Sequence, residues 1–400
     1  MLWHKKFYTS KLKKPFHKNI LPALIALIVV LCITIGSVAA PKKLFSQISG
    51  QLLSSFPKFS VANWKNGTYE RRMENYLEDH ILFRETCTRT VNQIRVWTGT
   101  QEIGNIFLLK DRFIRKIPEK SYSAMKQNTK SISQFFKQYS KSSCYLGLIP
   151  TACEIYKDEL PTQRVFNQQQ AIAECYESIP DASGIDLYGG LSGAKEDRLF
   201  YHSDTRWTSA GAFIGYNEIA KTMGETPVNE ALFNIEHAAY DYYGNLSREL
   251  CLTPDVSDTI DIYHYSRQTP VTKVEKISGG QREEYTSILF RDFLESGYQQ
   301  SVFLGYDTPL TRIETNLDNG KKLLLFGDSL SDSLMQFLPL HYEEILFVDL
   351  TTVSKDDLRQ INPDRYNTVL FLYSMETYLN SNAISVNLEQ LMKQQSEREE

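Results

Sequence analysis

Short apolar runs separated by longer amphipathic segments dominate the sequence beyond residue 100. The runs 144–150, 323–326, 344–349 and 368–373 have the length and apolar character of strands that are buried on both faces. The intervening segments, such as 167–178, carry apolar residues at the spacing of an amphipathic helix. This alternation predicts an α/β domain in which helices cover both faces of a parallel sheet.

Other regions of the pattern predict elements around this sheet. A helical periodicity runs from Tyr69 to about Trp97, and the apolar residues on either side of 110–112 predict a short hairpin. Thr208 is placed to cap a helix that begins directly after it. The segment 235–320 lacks helical periodicity, so we expect it to form an inserted β region.

The N-terminal part has a different pattern. Residues 20–41 contain no charged residue, and a helix over them would be about 30 Å long, the thickness of a bilayer core. Six lysines and no acidic residue precede this run, which predicts a cytoplasmic N-terminus and an exported remainder. A cleaved signal peptide, with Val38, Ala39 and Ala40 at its cleavage site, is the alternative and would export the same domain.

The predicted organisation is that of a single-pass protein of the cell membrane with an extracellular C-terminal domain. Its parts are a lysine-rich cytoplasmic segment (1–19), a transmembrane helix (20–41) that contacts the lipid bilayer, a juxtamembrane linker (42–68), the α/β domain (69–385) and a polar tail (386–400).

Composition excludes several classes of function. The net charge is −4 although the N-terminal segment is strongly basic, so the rest of the chain is mildly acidic and unsuited to non-specific binding of nucleic acid. The six cysteines form no CxxC pair and no cysteine–histidine metal spacing, and buried free thiols are favoured over a disulfide framework. We therefore expect no metal, no cofactor and no nucleic-acid partner.

The motif that points most clearly to a functional site is Gly327-Asp328-Ser329, which directly follows an apolar strand. Ligands of open α/β sheets bind at the carboxyl ends of the strands, so a serine here would be exposed to substrate. Backbone N–H groups at the start of the next helix would lie beside it and could stabilise an oxyanion. Ser329 is therefore a candidate nucleophile, with capping of that helix as the alternative. We expect Asp328 to hold the loop by accepting backbone N–H bonds.

A serine nucleophile requires a general base, and the base requires an orienting group. No histidine of the chain has an unmistakable catalytic context. His341 lies at the end of the helix predicted after Ser329, and His202 lies two residues before Asp204 in the loop that precedes Thr208.

The segment Tyr201-His-Ser-Asp-Thr-Arg-Trp-Thr-Ser-Ala-Gly-Ala212 resembles the signature of the DHHW family of exported Firmicute proteins, which is related to the SGNH-hydrolase-like alginate O-acetylation proteins. Other stretches agree with the family in the same order over about residues 65–380. They include Glu78-Asp-His-Ile-Leu-Phe-Arg84, Gly104-Asn-Ile-Phe-Leu-Leu-Lys110, Ile149-Pro-Thr-Ala-Cys-Glu-Ile155, Asp241-Tyr-Tyr-Gly244, Arg312-Ile-Glu-Thr315 and His341-Tyr-Glu-Glu344. The resemblance implies a three-layer α/β/α domain of SGNH type with reordered motifs.

The resemblance also implies a catalytic triad, from which this chain departs at one position. In catalytic relatives the Asp and His come from an Asp-x-His-Trp motif and the Ser from a later Asp-Ser, which here are Asp204 and Ser329. Arg206 occupies the histidine position. An arginine stays protonated at any working pH, so it cannot accept the serine proton. It could bind a carboxylate, pair with Asp204 or stabilise an oxyanion.

Three interpretations stay open at this point. The chain is a non-catalytic or binding descendant of the fold, a transferase or esterase whose base is displaced to a residue such as His202, or an enzyme that uses Arg206 differently. Trp207 is either a platform on which a sugar stacks or, as is favoured, a packing residue beneath the loop.

By analogy with the family, we expect a part in the O-acetylation of an envelope polysaccharide in a Gram-positive cell, beside a multi-spanning membrane acyltransferase. The alternative is a catalytically inactive glycan-binding or scaffolding protein of the same complex. The expected catalytic positions are Ser329, Asp204 and Arg206, and the expected substrate-binding positions are Trp207, His202 and Asp328.

Overall fold

The computed structural model describes residues 20–39, 45–46, 51–52, 54–57, 59, 64, 68–81, 83–195, 198–306 and 309–399. The chain divides into two compact units, one of residues 1–47 with 51–88 and one of residues 48–50 with 89–400. The first unit contains helix α1 (Ile20–Ala39), the antiparallel strands β1 (Phe45–Ser46) and β2 (Gln51–Leu52), and helix α2 (Thr68–Asp79).

Within the described ranges, none of the helices has the combination of length and apolar character that a membrane crossing requires.

The predicted helix over 69–97 is in fact two helices, α2 and α3 (Arg84–Trp97). Phe83, in the break between them, has a φ angle of 64°. This left-handed conformation is unfavourable for an L-residue and cannot continue a right-handed helix. The apolar spacing alone does not reveal such a break, because the periodicity resumes after it.

The second unit contains the remaining strands and helices. The strands are β3 (Glu102–Ile103), β4 (Ile106–Leu108), β5 (Phe113–Arg115), β6 (Ser143–Ile149), β7 (Ser183–Ile185), β8 (Phe233–Tyr242), β9 (Asp258–Tyr265), β10 (Val271–Ser278), β11 (Gln281–Tyr285), β12 (Leu310–Thr315), β13 (Lys322–Gly327), β14 (Glu344–Val348) and β15 (Thr368–Ser374). The helices after α3 are α4 (Ser123–Gln138), α5 (Ala152–Ile155), α6 (Gln168–Glu177), α7 (Leu187–Gly193), α8 (Ser209–Thr222), α9 (Asn245–Leu250), α10 (Lys355–Leu358), α11 (Met375–Asn380) and α12 (Ala383–Glu399).

Eight strands form the main sheet, in the order β11-β10-β12-β14-β13-β15-β6-β7. The five strands from β14 to β7 are parallel, whereas β12 pairs antiparallel with β14, and β10 and β11 extend that edge. The predicted α/β fold is confirmed, but the sheet is only mostly parallel. The predicted inserted β region supplies its antiparallel strands, and Gly279 and Gly280 form the tight β10–β11 turn, both with positive φ.

Strand β13 lies where the strand order reverses. The chain passes from β13 to β14 on one side and later returns to β15 on the other side. At such a switch point the loops after the two strands diverge and leave a crevice at their carboxyl ends, which is where ligands of α/β sheets bind. Gly327, Asp328 and Ser329 are located at this end of β13.

Helices cover both faces of the sheet around β13. On one face, the Phe326 ring lies 5.5 Å from that of Phe135 in α4. On the other, Gly327 is so close to the Ser331 hydroxyl of the following segment that a side chain at Gly327 would displace it. Helix α8 begins as predicted, because the Thr208 hydroxyl accepts the backbone N–H of Gly211 at 3.1 Å.

A buried amide joins α4 to the C-terminal helices. Asn128 is fully buried, and its Nδ2 donates to the backbone oxygens of Tyr378 (3.0 Å) and Ser381 (2.9 Å). Its Oδ1 accepts from the backbone N–H of Ser385 at 3.1 Å. Helix α12 thus packs on the domain with its apolar side, which includes Leu388, in the core.

Replacing Asn128 with Ala is expected to lower the free energy of unfolding by about 1–3 kcal/mol, because three buried backbone groups lose their hydrogen-bond partner. Chemical denaturation measures this change. Gln134→Ala, on the exposed side of the same helix, is the matched control and should change the value by less than about 0.5 kcal/mol. Equal effects of the two substitutions would contradict the role of the amide.

Candidate active site

Ser329 is exposed at the carboxyl end of β13 and lines two cavities, of about 390 and 610 Å³. Thr205 and Ser329 belong to the walls of both cavities, and Arg206 belongs to the wall of the smaller one. The loop that carries Asp204 therefore meets the Ser329 turn at one rim of the sheet. This is the juxtaposition that an SGNH-like site requires.

The turn after β13 is held by Asp328. Its Oδ1 accepts the backbone N–H of Leu330 (3.1 Å), and its Oδ2 accepts the N–H (3.0 Å) and hydroxyl (2.7 Å) of Ser374. The carboxylate thus ties the end of β13 to the end of β15. Asp328 lines neither cavity, so its position is that of a structural residue beneath the site rather than of a substrate contact.

The helical segment predicted after Ser329 is a 3₁₀ helix, Ser331–Gln336. Leu330 occupies the position before its first residue, and no side chain caps the turn. Ser329 forms no hydrogen bond with any described residue. Its hydroxyl therefore faces the cavities without a capping role.

Arg206 forms a bidentate salt bridge with Asp204. Its Nε donates to Oδ1 and its Nη2 to Oδ2 of the carboxylate, both at 2.9 Å. The carboxylate also accepts the Tyr242 hydroxyl at 2.6 Å and the Asn245 backbone N–H at 3.0 Å. Asp204 is 1% exposed, so nearly all its acceptor capacity is used inside the protein.

This pair fixes the charge of both partners. Burial alone would raise the pKa of Asp204, but the Arg206 charge and the hydrogen bonds from Arg206 and Tyr242 hold it well below its ordinary value. Burial would likewise lower the pKa of Arg206, yet the Asp204 charge raises it above its ordinary value. Both side chains of the pair are therefore charged at neutral pH.

No described histidine replaces the missing base. His202 is buried, and its Nδ1 lies 2.7 Å from Oδ1 of Asp258. His341 Nε2 lies 2.6 Å from the Tyr216 hydroxyl. Neither ring lines a cavity that contains Ser329, and neither forms a hydrogen bond with it. His202, expected as a substrate contact or displaced base, is thus a partner of Asp258.

Trp207 lies in the core beneath the loop. Its ring is 0% exposed, and Nε1 donates to the backbone oxygen of Leu330 (2.8 Å) and to the Ser333 hydroxyl (2.9 Å). It offers no face to a sugar. By bridging the Asp204 loop and the Ser329 turn, it holds the two parts of the site together.

The cavity also contains residues that the sequence did not single out. Asp332 lies one turn after Ser329, Asp349 follows the end of β14, and Thr311 comes from the antiparallel strand β12. Asp349 could have been found, since it follows a predicted strand at the carboxyl edge of the sheet. Thr311 could not, because the pairing of β12 with β14 has no signature in the sequence.

Two carboxyl groups in this cavity have raised pKa values. Burial raises the pKa of Asp349 to about 6, against the hydrogen bonds that it accepts from Thr351. Burial also raises the pKa of Asp332 well above its ordinary value, and the nearby Asp349 and Asp328 add to this effect, while Arg206 and Lys276 oppose it.

No protein-family model matches the chain, and no curated protein is detectably similar in sequence. Solved structures are similar in fold. A DHHW family protein from Eubacterium siraeum has a TM-score of 0.61 at 16% identity, over 72% of this chain and 94% of the other. Bacillus cereus PatB1 with a sulfonyl adduct has a TM-score of 0.58 at 20% identity, over 70% and 99%.

The O-acetyltransferase domain of Pseudomonas putida AlgJ has a TM-score of 0.39 at 14% identity, over 68% of this chain and 90% of the other, which is too low to establish a shared fold.

Arg206→Leu is expected to lower the free energy of unfolding by about 3–5 kcal/mol, because it leaves the buried Asp204 charge without its partner. The double variant Asp204→Leu/Arg206→Leu should lose less, since it leaves no lone charge. Denaturation of the single and double variants gives the comparison.

The control is Lys221→Gln, which removes an exposed pair with Glu218 and should cost less than about 1 kcal/mol. A double variant as unstable as the sum of its single variants would show that the two side chains do not act as a pair.

Over about 70% of its length, this chain therefore has the fold of the DHHW family protein and of PatB1.

Proposed function

We propose that this protein takes part in the O-acetylation of a cell-envelope polysaccharide as a glycan-binding component that does not itself transfer the acyl group. The arrangement of Asp204 and Arg206 carries the proposal. In a serine triad the acid orients a neutral imidazole, which then takes the serine proton. Here the acid is bound by a permanently charged guanidinium, and no described imidazole contacts Ser329.

The polar character of the site supports binding of a glycan. Its walls contain the hydroxyls of Thr205, Ser301, Thr311 and Ser329 and the amide of Asn245. Tyr298 and Tyr306 line the same cavity with ring centroids 4.8 Å apart. Aromatic faces beside a dense set of hydrogen-bonding groups suit the mixed apolar and hydroxylated surface of a sugar.

The assignment to polysaccharide O-acetylation is supported by the similarity of this chain to other proteins and not by a chemical feature of its site. PatB1, which shares the fold, was solved with a sulfonyl adduct. A sulfonyl reagent combines with a nucleophile that its surroundings activate. The same reagent class therefore distinguishes an activated Ser329 from an inert one.

The full-length protein in detergent should hydrolyse p-nitrophenyl acetate no faster than its Ser329→Ala variant, and a sulfonyl fluoride should leave Ser329 unmodified in mass spectra. Arg206→His, which recreates an Asp-x-His-Trp motif, should produce turnover that is lost again in Arg206→His/Ser329→Ala. Wild-type turnover that depends on Ser329 would overturn the proposal and identify an active esterase or transferase.

We also propose that residues 20–41 anchor the chain in the cell membrane, with the main domain outside and close to a multi-spanning acyltransferase. The absence of charge from residues 20–41 and the six lysines before them support this placement.

After alkaline carbonate extraction, the wild-type chain should remain with the membrane fraction, and Leu27→Arg/Val30→Arg should reduce that fraction strongly, because each charge costs about 2.5–3.5 kcal/mol within a bilayer. The conservative control is Leu27→Ile/Val30→Ile. Release of a wild-type product that begins near residue 41 would instead identify a cleaved signal peptide.

A further inference from the structure

The 390 Å³ cavity beside Ser329 contains a carboxylate without a partner. Asp332 is partly buried in its wall and forms neither a hydrogen bond nor an ion pair with any residue that the structure describes. Asp349 lies in the same wall, and its Oδ1 accepts the N–H and hydroxyl of Thr351, both at 2.7 Å. Neither carboxyl group is in ion-pair contact with a described side chain.

The cations near these carboxylates are engaged elsewhere. The Nε and Nη2 atoms of Arg206 both donate to the Asp204 carboxylate. Arg248 donates from Nη1 to the backbone oxygens of Tyr243 and Gly297. The Lys276 ammonium lies over the Phe290 ring, 4.2 Å from its centroid. None of the three lies within ion-pair distance of Asp332 or Asp349 in the described structure.

An independent observation points to a ligand in this cavity. Thr311 is fully buried, its hydroxyl has no hydrogen-bond partner, and it lines the same wall. A buried hydroxyl without a partner costs on the order of 1–3 kcal/mol, which a ligand that bonds to it would recover. Phe347, the residue paired with Thr311 on β14, also lines the cavity, so the hydroxyl is next to Asp349 along the sheet.

We propose that this cavity binds a sugar that carries a free, protonated amino group, held between Asp332 and Asp349 with a hydrogen bond to Thr311. This inference rests on the proposed glycan-binding function and names the class of sugar. An ammonium group supplies the positive charge and the donors that the two carboxylates lack. Tyr298 and Tyr306 offer ring faces to the same cation and to the apolar face of the sugar.

A metal ion is the other cation that carboxylates bind. Among the described residues, no group of three or more histidine, cysteine, aspartate or glutamate side chains is arranged to hold one. Two carboxylates and one hydroxyl fall short of the six or more oxygen ligands that calcium takes, whereas they match the three donors of an ammonium group.

The test compares a glucosamine oligomer with the N-acetylated oligomer of the same length, by calorimetry on the full-length protein at pH 7. The glucosamine oligomer should bind at least about 10-fold more tightly, because only it presents an ammonium group. Asp332→Asn and Asp349→Asn should each remove most of this preference, measured as the ratio of the two affinities. Asp318→Asn, which changes an exposed carboxylate outside the cavity, should leave both affinities unchanged.

The pH dependence gives a second readout. Below about pH 6 the Asp349 carboxyl becomes protonated, which removes its charge from the cavity. We expect the affinity for the glucosamine oligomer to fall as the pH drops from 7 to 5. The amino groups of the glucosamine oligomer gain protons over this range, so such a fall would come from the Asp349 carboxyl and not from the ligand. The other ionisable groups that line the cavity or act on Asp332 are Arg206, Arg248, Lys276, Asp328, Tyr298 and Tyr306.

Equal affinity for the two oligomers, or a preference that survives Asp332→Asn and Asp349→Asn together, would overturn the amine site and leave glycan binding intact. Absence of binding to both oligomers would overturn the amine site as well, whereas the proposed non-catalytic role is judged by the separate ester-hydrolysis assay.

Discussion

The buried pair of Asp204 and Arg206 is the constraint on which the chemistry of this protein depends. A lone carboxylate at this depth would be costly, and the guanidinium satisfies it through two parallel hydrogen bonds. The same contact leaves the carboxylate with no free direction toward Ser329. A single side chain thus fixes both the position and the charge of the acid beside the exposed serine.

The position of the site follows from the sheet. Because β13 lies at the switch point, the loops after β13, β14 and β15 all border one crevice, and Asp328 links two of them by bonding to Leu330 and Ser374. Trp207, which is buried beneath the site, links the loop that carries Asp204 to the turn that carries Ser329. These contacts use rigid, buried groups, so they hold the exposed Ser329 in place whether or not it reacts.

Much of this arrangement is predictable from the sequence. The rest is not predictable, and the reasons can be given. The apolar runs predict β6, β13, β14 and β15, since buried parallel strands need continuous apolar residues. The Gly-Asp-Ser motif and the Asp-Thr-Arg-Trp motif are both visible, and they meet at one rim. The pairing of β12 with β14 is not visible, because register between distant strands leaves no local pattern, and the place of Thr311 in the cavity is hidden with it.

The antiparallel extension also determines how the molecule meets its neighbours. Strand β11 is the outermost strand at that side of the sheet, and every one of its five residues is exposed. An open strand edge invites pairing with another chain, which leads to aggregation. Arg282, Glu283 and Glu284 place three charged side chains along this edge. Self-association by addition of strands at this edge is thereby discouraged, so any partner has to bind at a different surface.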